Sequence, residues 1–194
     1  MLDNKRFYLG AYKRYGISAK GLNWNSKESQ EIRFEIITSF IRDELEKSSI
    51  LDVGCGFGDI ILFWQKRGIK PREYIGIDSV EKFVKISTKR FSSLDFVKIL
   101  HRDILIDNIP RSDWLIASGS LNILSEFDSW FFIERMLEYS KRGVVFNILK
   151  GEKKSENFNY KTREEMEEFL ISKDLKFEIV EGYLPNDMSI KVYK

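Results

Sequence analysis

Short apolar runs alternate along this chain with longer stretches in which apolar positions recur every three or four residues. Residues 49–55 (SILDVGC) form an almost unbroken apolar run and predict a buried strand. Residues 58–68 then take helical spacing that stops at Gly68. The same alternation repeats: a strand over 73–79, a helix over 80–91, a strand over 94–103, and a strand over 112–120. A helix over 127–142 and a strand over 143–149 follow, and after the polar stretch 150–160 a helix over 162–174. The pattern closes with two β-like runs, 177–184 and 187–194, joined through Pro185-Asn186 in a hairpin signal. Strand–helix repetition of this kind predicts an α/β fold with an open, mostly parallel sheet. Right-handed crossovers place helices on both faces, and the closing hairpin adds one antiparallel strand near the C-terminus.

The first 48 residues precede this repeat and divide in two. Residues 1–27 are a polar, aromatic-rich arm, and residues 26–48 read as a helix whose start is marked by Ser26, Glu28 and Ser29. The expected division is an N-terminal arm and helix (1–48), acting as lid or cap, and a sheet domain (49–194).

Composition narrows the possibilities. The 194 residues carry 32 Lys and Arg against 30 Asp and Glu, a net charge of +2, which argues against a chain devoted to gripping phosphate backbone. No apolar run approaches the roughly 18 residues a membrane helix needs, and the N-terminus does not read as a signal peptide. The lone cysteine, Cys55, excludes an internal disulfide and fits a cytoplasmic location. The lone histidine, His101, leaves little material for a His-based metal site or triad, so no metal is expected. The near-neutral total hides an asymmetry: the arm holds Lys5, Arg6, Lys13, Arg14, Lys20 and Lys27 against Asp3 alone, interleaved with Phe7, Tyr8, Tyr12, Tyr15 and Trp24.

The richest segment is Asp52-Val53-Gly54-Cys55-Gly56-Phe57-Gly58-Asp59. A strand running into glycines and then a helix sits at the carboxyl edge of an open sheet, where ligands bind. Glycines there tolerate positive φ and let backbone approach a ligand, while the helix start offers free N–H groups. A dinucleotide fingerprint would place its third glycine three positions after the second; Gly58 follows Gly56 by two. Asp52 would also repel a phosphate. The expected ligand is therefore a nucleoside bearing a positive group. Asp78 ends the second strand twenty positions after Gly58, where a carboxylate accepts both hydroxyls of a ribose.

D-x-G-C-G-x-G-D followed by Y-I-G-I-D resembles the class I S-adenosylmethionine-dependent methyltransferases, over residues 48–149 by ordered motifs and to 194 through the hairpin. The resemblance implies a seven-stranded sheet with one inserted antiparallel strand. It implies S-adenosylmethionine as cofactor, with S-adenosylhomocysteine as product. Carried over, Gly54, Cys55, Gly56 and Gly58 line the methionine part, and Asp52 helps to hold its ammonium group. Asp78 takes the ribose hydroxyls with Ser79 beside it. Asp103 and Ile104 meet the adenine, and Ser118 and Gly119 offer backbone carbonyl to the ammonium. Arg33, on the helix before the first strand, reaches for the cofactor's carboxylate. Trp24, Asn122 and Tyr160 are the candidate acceptor contacts, with Phe158 near Tyr160.

In such enzymes the reactive group arrives on the cofactor, so no particular catalytic residue is required or assigned. Exocyclic base-nitrogen methylation in this family uses an Asn/Asp-Pro-Pro-aromatic run after strand four; this chain has Ser118-Gly119-Ser120-Leu121-Asn122. Carbon-5 pyrimidine methylation needs a nucleophilic cysteine outside the glycine loop, and there is none. Metal-dependent transfer needs clustered carboxylates after strand four or five, and none stands out. His101, two positions before Asp103, is the one histidine available as a base. The expectation is methyl transfer to a small-molecule O, N or carboxylate acceptor, away from membranes. Two alternatives stand beside it: an RNA methyltransferase using the basic arm, and a non-catalytic module that binds the cofactor or its product.

Overall fold

The computed structural model describes residues 4–152, 155 and 157–194. Of the polar stretch 150–160, residues 153, 154 and 156 lie outside the described residues. Eight strands alternate with six α-helices in the order α1 (Asn4–Tyr15), α2 (Lys27–Leu45), β1 (Ser49–Val53), α3 (Asp59–Gln65), β2 (Glu73–Asp78), α4 (Glu81–Arg90), β3 (Val97–His101), β4 (Ser112–Ala117), α5 (Glu126–Tyr139), β5 (Ser140–Lys150), β6 (Tyr160–Lys161), α6 (Arg163–Ser172), β7 (Lys176–Glu181) and β8 (Asp187–Tyr193).

Seven strands form one sheet in the order β3-β2-β1-β4-β5-β8-β7, and two-residue β6 pairs with β5 off this path. β1 to β5 are parallel, and β8 lies antiparallel between β5 and β7. The mostly parallel sheet with an inserted antiparallel strand is therefore as the sequence predicts. The loop joining the closing pair is wider than Pro185-Asn186, because β7 ends at Glu181 and β8 begins at Asp187.

Period-two alternation explains how a sheet of apolar strands serves two cores. Leu51, Leu115 and Ala117 face one side and pack with Phe132 and Ile133 of α5 and Met166 of α6. Their neighbours Ile50, Trp114 and Ile116 face the other side, against Ile37 and Ile41 of α2 and Ile60 and Trp64 of α3. Helices thus cover both faces. α2 begins where the sequence marks it, with Ser26 and Ser29 exchanging capping-box hydrogen bonds.

The arm of residues 1–27 holds more structure than its composition suggests. Residues 4–15 form α1, whose Tyr8, Leu9 and Tyr12 pack on Phe57, Val80 and Phe83. A single 3-10 turn, Lys20–Leu22, brings the chain from α1 back across the glycine loop. Among the described residues, no helix is long and apolar enough to cross a membrane.

Candidate active site

Because β1 to β5 are parallel, their carboxyl ends meet at one edge, and a cleft of about 310 Å³ opens there. It lies above the ends of β1 to β4, with α1 and residues 22–24 forming its far wall.

The glycine loop shapes one side. Gly54 has φ +78° and Ser120 Oγ stands 2.2 Å from where a Cβ would be, so backbone alone fits. Ser120 Oγ–H donates to the Val53 carbonyl at 2.8 Å, tying the β1 and β4 loops together. Gly54 and Gly56 line the cleft. Gly58 does not: it begins α3 at φ +72°, with Phe91 pressed against it. Cys55 points down instead of out, into contact with Gly76, and burial pushes its thiol well above the ordinary range. Asp59, the last residue of the motif, accepts from Arg90 at 2.6 Å and from Gln30 at 3.3 Å, so it anchors the loop from behind.

Asp78 ends β2 with its carboxylate at the cleft. One oxygen accepts the Gly56 N–H at 2.9 Å, the other the Val80 N–H at 2.8 Å. Each carboxylate oxygen can accept about two hydrogen bonds, so each keeps a free site for a diol. Burial pushes its pKa up to about 6, and the two backbone donors restrain the rise. Asp52 is buried beneath the loop and accepts a hydrogen bond from the Tyr74 hydroxyl at 2.6 Å. It does not line the cleft, and burial pushes its pKa up to about 7 against the restraint of Tyr74. Ser79 lines the cleft, and His101 turns away from it to bond the Ser79 carbonyl through Nε2 at 3.1 Å.

Asp103 and Ile104 line the same end. Asp103 Oδ1 accepts the Leu105 N–H at 3.1 Å. Arg135 of α5 braces this loop, with Nε donating to the Ile104 carbonyl at 3.1 Å and Nη2 to the Asp107 carbonyl at 2.6 Å. Sequence reasoning missed Arg135, because nothing local marks a cation on α5 as a support for a loop after β3.

The other end of the cleft is built differently. Ser118, Gly119 and Asn122 follow β4, and Ser118 Oγ and Asn122 Oδ1 are buried without a partner. Gly119 has φ +76°, and a Cβ there would come within 2.6 Å of the Trp24 indole, which lines the cleft. Arg33 lies outside the cleft lining, with its guanidinium carbon 4.9 Å from the centre of the Trp24 rings. Its charge is taken by Asp187: Nε donates to Oδ1 at 3.0 Å and Nη2 to Oδ2. Asn147 of β5 donates to the same Asp187 at 3.0 Å and accepts the Gly119 N–H at 2.9 Å. The aromatic wall after β5 is Phe158, which lines the cleft beside Phe7; Tyr160 pairs into the sheet on β6 and does not line it. The arm residues Phe7, Tyr8 and Leu22 also line the cleft. Burial and the charge of Asp78 raise the Tyr8 phenol above its usual range. The helical spacing of Tyr8 and Tyr12 was the available signal for that contact.

The arrangement fits a nucleoside cofactor: a two-acceptor carboxylate for a ribose, a second carboxylate for an amino group, and two glycine-shaped backbone approaches. Comparison with known proteins agrees. Residues 50–143 match the family described as a methyltransferase domain. A protein of Mycobacterium tuberculosis named as a methyltransferase is 33% identical over 111 residues, covering 52% of this chain and 63% of the relative. The ubiquinone/menaquinone biosynthesis C-methyltransferase of Campylobacter jejuni is 23% identical over 134 residues, covering 67% of this chain and 54% of its own. The chain thus spans about half the length of that relative. Among solved structures, the magnesium protoporphyrin IX methyltransferase of Synechocystis PCC 6803 with bound S-adenosylhomocysteine superposes with a TM-score of 0.71. That match covers 98% of this chain and 97% of the other at 12% identity, a likeness of fold.

Proposed function

We propose that this chain, whose residues 50–143 match a methyltransferase domain and whose fold is like that of S-adenosylmethionine-dependent methyltransferases, is a class I enzyme of that kind whose cleft transfers a methyl group from S-adenosylmethionine to a small-molecule acceptor. The observation that carries this is Asp78, a carboxylate at the end of β2 whose two oxygens are each held by one backbone N–H and each left with room for a hydroxyl.

When bound, the cofactor supplies the activated methyl group on its sulfonium. The rest is positioning by this chain's residues. Asp78 accepts the ribose hydroxyls, Asp103 the adenine amino group, and Ile104 packs beside the ring. Gly54 and Gly56 let backbone approach the methionine part, and Ser118 and Gly119 face it from the β4 side. Asp52, Cys55 and Gly58 support the loop from behind the cleft, and Arg33 supports Trp24. Trp24 and Asn122 face the acceptor.

Residues 1–48 act in this reading as a cap on the domain of residues 49–194. The packing of Tyr8, Leu9 and Tyr12 on Phe57, Val80 and Phe83 favours a lid over a nucleic-acid stacking surface, because these side chains are already engaged. A reducing, cytoplasmic setting suits the single buried thiol.

Isothermal titration with S-adenosylhomocysteine tests the cofactor half. Binding between about 1 μM and 1 mM is expected, and no heat at millimolar ligand overturns the reading. Labelled-methyl transfer into a cell extract tests the acceptor. Label in the small-molecule fraction supports the proposal, whereas label in RNA with steeply salt-dependent binding replaces it with the nucleic-acid reading.

A further inference from the structure

We infer that the methyl acceptor is a flat, unsaturated ring compound, bound against Trp24 and enclosed by Phe7 and Phe158. This rests on the methyltransferase reading above and names the substrate class of the same cleft.

The strand order β3-β2-β1-β4-β5 separates the cleft into two ends. Asp78 and Asp103 follow β2 and β3, at one end. Gly119 and Asn122 follow β4 and Phe158 follows β5, at the other. The Asn159 N–H donates to the Asn122 carbonyl at 2.7 Å, which sets Phe158 next to Asn122. Phe7 meets Phe158 edge-to-face, with centroids 6.3 Å apart and planes at 83°.

Trp24 is held by a closed circuit of contacts. Its edge sits on Gly119, and Arg33 covers the indole. Arg33 pairs with Asp187, Asp187 accepts from Asn147, and Asn147 accepts the N–H of that same Gly119. A buried ion pair adds little net stability over apolar packing of the same volume. What this one does is lock a single indole and the β4 loop in a fixed relation. A fixed indole lining the same cleft as two more rings favours a partner with a π-face over an aliphatic one of equal size.

The test uses 2-naphthol and its saturated analogue decahydro-2-naphthol, titrated by ligand-observed NMR into the whole protein, with and without saturating S-adenosylhomocysteine. The saturated probe is the more apolar of the two, so simple hydrophobicity predicts that it binds tighter. The inference expects 2-naphthol to bind about five- to tenfold tighter. That preference should disappear in Trp24→Leu and shrink in Phe158→Leu, an exposed position whose change leaves folding intact. Equal affinities, a reversed order, or a preference undiminished in either variant overturns the inference. The S-adenosylhomocysteine titration stands apart: its failure removes the methyltransferase reading, while the naphthol comparison without it still decides whether the aromatic end selects rings.

Discussion

The two ends of the cleft are made by opposite strategies. At the β2–β3 end, contacts join near neighbours in sequence and in the sheet: Gly56 to Asp78 across 22 positions, Asp78 to Val80 across two, Asp103 to Leu105 across two. At the β4–β5 end, Trp24, Arg33, Gly119, Asn147 and Asp187 come from five separate segments, and the Arg33–Asp187 pair spans 154 positions. The first end is a contiguous motif that can be reused around one unchanging ligand. The second is assembled by the whole fold, and a change in any one segment can alter it. That is the division expected where a common cofactor meets a particular acceptor.

The sharpest way to break this contrast is Arg33→Met. It leaves Asp187 buried and unpaired, and should cost about 3–5 kcal/mol of folding stability in urea denaturation. Adding Asp187→Leu should recover most of the loss. In the folded fraction, S-adenosylhomocysteine affinity should change far less than stability; an equal loss would join the two ends into one unit.

Asp78→Ala acts on the other end. Loss of charge-assisted bonds to a ribose should weaken cofactor binding about a hundredfold by calorimetry. Effects on 2-naphthol binding should be small.

The third effect comes from pH. With Asp78 at about 6, ionised carboxylate falls roughly tenfold between pH 7 and pH 5, and cofactor affinity should fall with it. Stability of the free protein runs the opposite way. Asp78 and Asp52 both titrate above their ordinary range when folded, to about 6 and about 7. The contribution from their protonated forms is therefore full below about pH 4 and is lost as pH rises through 6 to 7. Melting curves with and without saturating ligand should show the Asp78 part of this slope reversing.

The smallest expected effect is at Cys55. Its buried thiol, raised by burial and by the charges of Asp78 and Asp52, should resist iodoacetamide until the protein is unfolded. Rapid alkylation in the native state would show that the glycine loop opens readily.

The same contrast accounts for what could be read in advance. Strand–helix alternation and the glycine loop are local patterns, so the sheet and the placing of Asp78 and Asp103 at its carboxyl edge were legible. Helix α1 was not: its mean hydropathy is polar and Gly10 interrupts it, although Tyr8, Leu9 and Tyr12 at helical spacing carried the signal. Arg33 was singled out for a cofactor carboxylate that sequence alone could not distinguish from Asp187, because pairing across 154 positions leaves no local trace. The support given to the β3 loop by Arg135 was hidden for the same reason.

The Arg33–Asp187 pair also has a consequence in time. During synthesis at about 5–20 residues per second, Arg33 is made some 8 to 30 seconds before Asp187. Throughout that interval α2 carries a cation that the interior cannot accept. The glycine loop, Asp78 and Asp103 are all made before β4, but the circuit that fixes Trp24 must wait for Asp187 at the start of β8. On the proposed reading, the carboxylates assigned to the ribose and adenine are made before the wall assigned to the acceptor can be completed.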